Sequence, residues 1–207
     1  MRKYIKTYEK YDNANSDLKK WKRAIKTGNI KTLKKMLEQG FDINKKFIIL
    51  IFKNVTSLSY ALYYNQYDVV KFLIDNDCEL DIFDVFDPSN ETYFISSLIT
   101  HYYLERYGNQ SDDTKKKLLS IIKSMIKKGA DINLKSDDTA LTLAAIYELY
   151  DIIYILIDAG ADWNIKNTDD KDFYEILKDD YKKIIRNRYP EKYEKYLTMK
   201  KANEFNL

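Results

Sequence analysis

The sequence predicts an all-α fold made of short helix pairs stacked in a row, and three observations point to it. Thr139 to Asn164 reads as two short helices running back to back, each too short to persist alone in water, so something must be stacked against them. Ile152, Ile153, Leu156 and Ile157 give the second helix an apolar stripe at offsets of one, three and four, a pattern that places them on one side of a helix. The arrangement also recurs. The segment closing at Gly160-Ala161-Asp162-Trp163-Asn164 has counterparts at Gly40-Phe41-Asp42-Ile43-Asn44, Asp77-Cys78-Glu79-Leu80-Asp81 and Gly129-Ala130-Asp131-Ile132-Asn133. One such unit cannot cover its own apolar face, whereas several in series can.

Taken in order, residues 1–15 form a polar lead in which Tyr4, Tyr8 and Tyr11, at offsets of four and three, could mark one face of a helix. Ser16 or Asp17 offers an N-cap for a helix carrying Leu18, Trp21, Ala24 and Ile25; a turn follows at Gly28, then a second helix with Leu33, Met36 and Leu37. Lys19, Lys20, Lys22 and Arg23 suit the solvated face of an end unit, the other assignment being a docking patch for an acidic partner. Twelve positions then separate Asn44 from Thr56, and the apolar run Phe47 to Phe52 lies between them. That run either adds a turn of helix or strand over the first two units, or forms an exposed apolar contact.

The second unit opens at Thr56-Ser57-Leu58-Ser59-Tyr60-Ala61-Leu62, continues through Val69 to Ile74 and closes at Asp77, a residue type that tolerates left-handed backbone. The third opens at Thr92 and reaches Gly129 after 37 positions, where Thr139 reaches Gly160 in 21. The sixteen extra residues lengthen its first helix through His101 to Tyr107, add a loop at Gly108 to Ser111, and restart a long second helix with Leu118, Ile121, Ile122, Met125 and Ile126 inward. In the fourth, the Thr139 hydroxyl caps the opening turn, Ala144 and Ala145 keep the helix thin, and Gly160 ends the pair. Lys171 to Leu177 then reads as a degenerate first helix and Tyr181, Ile184 and Ile185 as its partner. Pro190 marks a break before a final polar helix from Glu191 to Ala202, with Tyr193, Tyr196 and Leu197 on one side.

These units resemble the ankyrin repeat, about 33 residues in a turn and two helices with a T-P-L-H-x-A opening. Thr139, Leu141, Ala144, Ala145, Leu156, Gly160, Ala161, Asp162 and Asn164 stand at family positions, while Ala140, Thr142 and Glu148 replace the family's proline, histidine and inter-helix glycine. The resemblance implies an all-α ankyrin-repeat solenoid of about four repeats. Its expected divisions are an N-terminal extension (1–15), a repeat domain (16–189) and a C-terminal helix or tail (190–207). Within the repeat domain the divisions fall at 16–45, 46–82, 83–134 with an insertion near 101–114, 135–166, and a degenerate cap at 167–189. The resemblance also implies a protein partner held on a concave surface of loop tips and outward first-helix positions. Carried over by position, these are Lys53, Val55, Tyr63, Tyr64, Ile99, Thr100, Lys135, Ser136, Asp138, Ile146 and Tyr147.

Composition adds a second candidate partner and removes several chemistries. The net charge is only +3, yet residues 1–35 hold twelve Lys/Arg against three Asp/Glu, and residues 75–170 hold nine against nineteen. The basic start, with its interspersed tyrosines, is the alternative site, for an anion or nucleic acid. Cys78 and His101 are the sole residues of their kinds, so a His/Cys metal site or a Cys–His nucleophile would have to be built from one of each. Asp112/Asp113, Asp137/Asp138, Asp169/Asp170 and Asp179/Asp180 sit at turns or helix starts, where carboxylates cap amides and favour the helix dipole. No glycine-rich phosphate loop or nucleophile elbow appears. The expectation is a non-enzymatic monomer without metal or cofactor. The start leads into no apolar secretory segment, no run is long enough to span a bilayer, and one cysteine suits a reducing compartment, so a cytoplasmic location is expected.

Overall fold

A computed structural model of the chain describes residues 16–49, 52–84, 92–107 and 112–205; the side chains of Lys53, 105–107 and 203–205 are not described. Tyr4, Tyr8, Tyr11 and the loop from Gly108 to Ser111 lie outside the described residues. The elements are α1 (Ser16–Lys26), α2 (Ile30–Glu38), β1 (Phe47–Ile49), β2 (Phe52–Val55), α3 (Ser57–Tyr63), α4 (Tyr67–Asp75), α5 (Phe94–Tyr107) and α6 (Asp112–Lys127). They continue with α7 (Ala140–Ile146), α8 (Tyr150–Asp158), α9 (Phe173–Ile176), α10 (Asp179–Arg188) and α11 (Pro190–Phe205). Among the described residues no helix is long and apolar enough to cross a membrane. The chain divides into two compact units, Met1–Ala130 and Asp131–Leu207.

In the first unit α1 packs on α2, α3 on α4 and α5 on α6, while α1 also packs on α3 and α4 on α6. Successive pairs therefore meet like to like. Trp21, Ile25, Leu33, Leu58, Leu62, Leu73, Phe94, Leu98 and Leu118 are buried among them. The Trp21 indole, buried on every side, donates to Ser57 Oγ at 2.8 Å, and Ser57 Oγ donates to the Ile43 carbonyl at 3.2 Å. A buried ring N–H needs such a partner. In the second unit α7 packs on α8, α9 on α7 and α10 on α11, around Leu141, Ile152, Leu156, Trp163 and Phe173.

One hydrogen-bond pattern closes each pair. Phe41, Cys78, Ala130 and Ala161 donate their N–H groups to the carbonyls of Met36, Leu73, Met125 and Leu156 at 3.0, 3.3, 3.1 and 3.0 Å. The residues before them, Gly40, Asp77, Gly129 and Gly160, have φ of 85, 60, 88 and 94°. That is the Schellman closure, in which one left-handed residue lets the chain turn back onto the orphan carbonyls of the last turn. The turn between the two helices repeats it: Asn29, Gln66 and Leu149 donate to Ala24, Ala61 and Ala144 at 2.8, 2.9 and 2.9 Å. Gly28, Asn65 and Glu148 are the left-handed residues there. Asparagine accepts that geometry readily, whereas Glu148 adopts it at a steric cost.

Asparagines then tie one closing loop to the next. Asn44 Oδ1 accepts the Glu79 N–H at 2.8 Å, and Asn133 Oδ1 accepts the Asp162 N–H at 2.9 Å. Across the flanks of α4 and α6, Lys117 pairs with Asp68 at 3.0 Å, Lys128 with Asp77 at 2.5 Å, and Ser124 Oγ donates to Asp75 at 3.2 Å. Lys71 donates to Asp75 at 2.8 Å, and that hydrogen bond above all holds the Asp75 carboxyl below its ordinary value.

Three expectations are sharpened. The fold is helix-rich with one small sheet: Phe47–Ile49 and Phe52–Val55 form an antiparallel hairpin, the strand assignment for that run, as β-branched and aromatic residues favour. Phe47 and Val55 are buried, and the Phe47 ring meets Tyr60 edge-on at 5.3 Å, so the hairpin closes over the pairs on either side of it. Second, the third pair opens at Tyr93 instead of Thr92. Tyr93 bridges to Phe83 as Thr139 bridges to Lys135, and its carbonyl accepts the Ser96 N–H at 2.9 Å. The pull on the register is aromatic: Tyr93 stacks on Phe83 at 4.4 Å. Third, Ile184 faces out while Ile185 is buried.

The end of the chain is fastened through one buried carboxylate. Asp172 caps α9 by accepting the Glu175 N–H at 2.9 Å, and it also accepts from Tyr196 Oη at 3.0 Å and Lys200 Nζ at 3.3 Å, both on α11. Lys200 completes the cluster on Glu175 at 2.6 Å, which lowers the Glu175 pKa. Burial of Tyr196 pushes its phenol up to about 12. Pro190 opens α11, where a missing N–H costs nothing.

The register shift predicts opposite responses at equivalent serines. Ser59 Oγ accepts from the Thr56 hydroxyl at 3.2 Å, but the buried Ser96 Oγ has no hydrogen-bond partner among the described residues. Ser59→Ala is expected to lower stability by about 1 kcal/mol and Ser96→Ala to leave it unchanged or raise it by up to about 1 kcal/mol, read by thermal melting. A second prediction concerns pH. Because the folded pKa of Asp75 lies below its unfolded one, its contribution is complete above about pH 4 and fades as pH falls through the folded value. Asp75→Asn should melt lower than the parent near neutrality, with the gap closing as pH falls below about 4.

Candidate functional site

Each first helix lays its last residues outward at a fixed distance from its opening. Counting from the N-caps Thr56 and Thr139, the seventh residues are Tyr63 and Ile146 and the eighth are Tyr64 and Tyr147. Tyr63 is 55% exposed and Ile146 44%, with Tyr64 and Tyr147 half-buried. In α5, counted from Tyr93, the seventh and eighth are Thr100 and His101, both half-buried. Ile99 is the sixth and is buried, like Leu62 and Ala145 at the same step. It leaves the candidate surface.

Sequence reasoning missed a member of this column. Ala24 accepts the turn hydrogen bond that Ala61 and Ala144 accept in their pairs. Two residues further on, Lys26 therefore stands where Tyr63 and Ile146 stand. Ala24-Ile25-Lys26-Thr27-Gly28 beside Ala61-Leu62-Tyr63-Tyr64-Asn65 carried the signal, but the lysine did not look like an aromatic anchor.

The loop-tip residues divide. Val55 is buried at the end of β2 and is not available for contact. Lys53 lies in β2. Lys135 is exposed at its bridge to Thr139, and Ser136 is half-buried. Asp138 is half-buried, with an Oδ1 that has no hydrogen-bond partner among the described residues.

The densest part of the surface belongs to α1, α3 and the hairpin. Tyr60 and Tyr64 meet edge to face at 5.0 Å and Tyr63 and Tyr64 at 5.1 Å. Lys26 Nζ sits 4.9 Å from the centre of the Tyr64 ring, and Lys22 Nζ 5.7 Å from that of Phe47. Burial, and next its hydrogen bond with Tyr64, raise the Tyr60 pKa well above the ordinary phenol value, so the Tyr60 phenol is neutral. Rigid aromatics braced by neighbours, with cations fixed over them, suit docking without covalent chemistry.

The sole histidine stands at the eighth step of α5, the step of Tyr64 and Tyr147, and the sole cysteine lies at a closing loop. Cys78 is buried at a closing loop, and that burial pushes its thiol up to about 12, far from a reactive thiolate. His101 lies on α5, where burial lowers its imidazole pKa. Among the described residues no three His, Cys, Asp or Glu side chains gather as a metal site. Asp112 and Asp113 lie in the first turn of α6, and Asp179 and Asp180 in that of α10.

Comparison with known proteins agrees with the hydrogen-bond pattern. The model of the family described as Ankyrin repeat matches residues 136–168, which take in α7, α8 and the loop closing at Gly160. No curated protein matches the chain. Residues 136–168 are an ankyrin repeat, and the protein that carries them is an ankyrin-repeat protein.

Proposed function

We propose that the chain is a non-enzymatic protein-binding module, an adaptor, inhibitor or effector, that holds a partner protein on the outward positions of its first helices and the adjoining loop tips. The ankyrin repeat is in general a protein-interaction unit. One observation carries the proposal to these positions: an exposed apolar side chain stands at the same step of one helix in each unit, Tyr63 at 55% and Ile146 at 44%. Core residues at neighbouring steps are buried, and Thr100 at that step of α5 is half-buried. The pairs closing at Gly40, Asp77 and Gly129 are, on this proposal, further copies of the matched repeat, and Phe173 to Arg188 a degenerate closing copy. The module works as a monomer in the cytoplasm, without a cofactor.

A nucleic acid on the basic start is the competing function, and salt separates the two. Tyr63→Ser combined with Ile146→Ser should keep the helical circular-dichroism signal and move stability by less than about 1 kcal/mol, since both side chains are exposed. Partner capture from cell extract should fall by about tenfold, as loss of exposed anchors at an interface does. Unchanged capture by the double variant removes this surface from the function. Capture that collapses between about 50 and 200 mM salt hands the role to phosphate contacts.

A further inference from the structure

The second unit contains a cleft built without any of the outward first-helix residues. One wall is the loop that closes α8, from Gly160 to Asn164, joined by Asn133. The other is a face of α11, where Lys192, Lys195, Tyr196 and Met199 follow at offsets of three, four and seven, the spacing that keeps side chains on one side of a helix. The cleft measures about 390 Å³, within the range of small-molecule sites. Its walls are tied together at both ends of that face. Lys192 Nζ donates to the Ile157 carbonyl, and the Asn164 amide lies 3.6 Å from the Met199 sulfur.

Donors and acceptors are unequal along these walls. Asn133 Oδ1 already accepts the Asp162 N–H at 2.9 Å, and Asp162 Oδ1 accepts the Asn164 N–H at 2.9 Å and its amide at 3.0 Å. Tyr196 Oη accepts from Lys200 at 3.0 Å. Against these committed acceptors stand the ammonium groups of Lys192 and Lys195, with Asp162 the single carboxylate among the lining residues. Trp163 lines the cleft as well; it is buried, and its indole N–H has no hydrogen-bond partner among the described residues. A buried donor left unpaired costs free energy that an acceptor reaching it recovers. The same walls carry apolar surface in Ala161, the Trp163 ring and Met199, the last 39% exposed.

We propose that this cleft binds a small organic anion, a phosphate ester or a carboxylate, that carries an apolar group. The anionic end sits between Lys192 and Lys195 and the apolar group covers Met199 beside Trp163. Lys192 keeps two N–H donors after serving Ile157, and Lys195 brings three more. A cation would meet an excess of positive charge, and a neutral apolar molecule would strip water from the ammonium groups without supplying a counter-charge. A ligand held here bridges α11 to the loop that closes the matched repeat, so its binding stabilises the end of the chain.

The test titrates the full chain with phenyl phosphate, phenylacetate, benzylamine and benzyl alcohol, read by calorimetry and by the indole N–H resonances of a ¹⁵N spectrum. The sequence has two tryptophans, and Trp163→Phe identifies its resonance by loss. At least one of the two anions should move the Trp163 resonance and leave that of Trp21 in place, with a Kd of about 1 mM or tighter. The tighter of the two names the anionic group. Benzylamine and benzyl alcohol should bind at least about tenfold more weakly. Lys195→Glu should weaken the anion by at least about tenfold. Lys201→Glu, the same charge change on the same helix but outside the cleft, should cost less than about threefold. Both variants are melted against the parent, and Lys195→Gln repeats the comparison without adding a carboxylate beside Asp162. An unmoved Trp163 resonance with both anions at about 10 mM, benzylamine or benzyl alcohol binding as tightly as the anions, or equal losses in the two lysine variants each overturns the proposal.

Discussion

A helix of seven residues, such as α3 or α7, has no stability of its own. What lets it exist is left-handed backbone past the helix end: Gly28, Asn65 and Glu148 turn a second helix back onto its first, and Gly40, Asp77, Gly129 and Gly160 then close the pair. At Gly40, Asp77, Gly129 and Gly160 the backbone hydrogen bonds are the same to within a few tenths of an ångström. The energetic logic runs outward from there. The turn satisfies the last carbonyls, the fold-back buries one stripe of each helix, and the remaining apolar face is covered by the adjacent pair through α1 on α3 and α4 on α6 in the first unit, and through α7 on α9 in the second.

That dependence explains what could be read from the sequence. The closing positions were legible because left-handed backbone selects glycine or a tolerant substitute, and the second-helix cores because their period is strict. The fourth pair was recovered residue by residue, with Thr139 as the cap and Gly160 as the stop. The opening of the third was misread by one residue because Thr92 and Tyr93 are adjacent and threonine is the better cap. Tertiary structure chose Tyr93 for its stacking on Phe83, and one hydroxyl on Ser96 was left without a partner. The hairpin was legible only as one of two alternatives, helix or strand, since its strands are too short for a clear alternation.

The candidate surface was less legible than the core. Outward positions are defined by what they do not touch, so a one-residue slip turns a surface residue into a core one, as it did for Ile99. Lys26 was overlooked for the opposite reason. Its position is given by the turn, but a lysine carries no aromatic signal, and only the geometry shows that lysine and tyrosine at this step belong to one cluster. Chemistry at such a surface comes from arrangement more than from residue type.

The asparagines of three closing loops, Asn44, Asn133 and Asn164, differ at the last of them. Asn44 and Asn133 each reach a backbone N–H of another loop, an arrangement that could in principle be continued by any molecule presenting the same edge. Asn164 is turned instead toward α11, its amide donating to Asp162 at 3.0 Å and lying 3.6 Å from the Met199 sulfur. With Tyr196 and Lys200 of the same helix locked onto Asp172, the terminal rung is already occupied. A design that shortened α11 would release the Asn164 amide from Met199 and the Asp172 carboxylate from Tyr196 and Lys200.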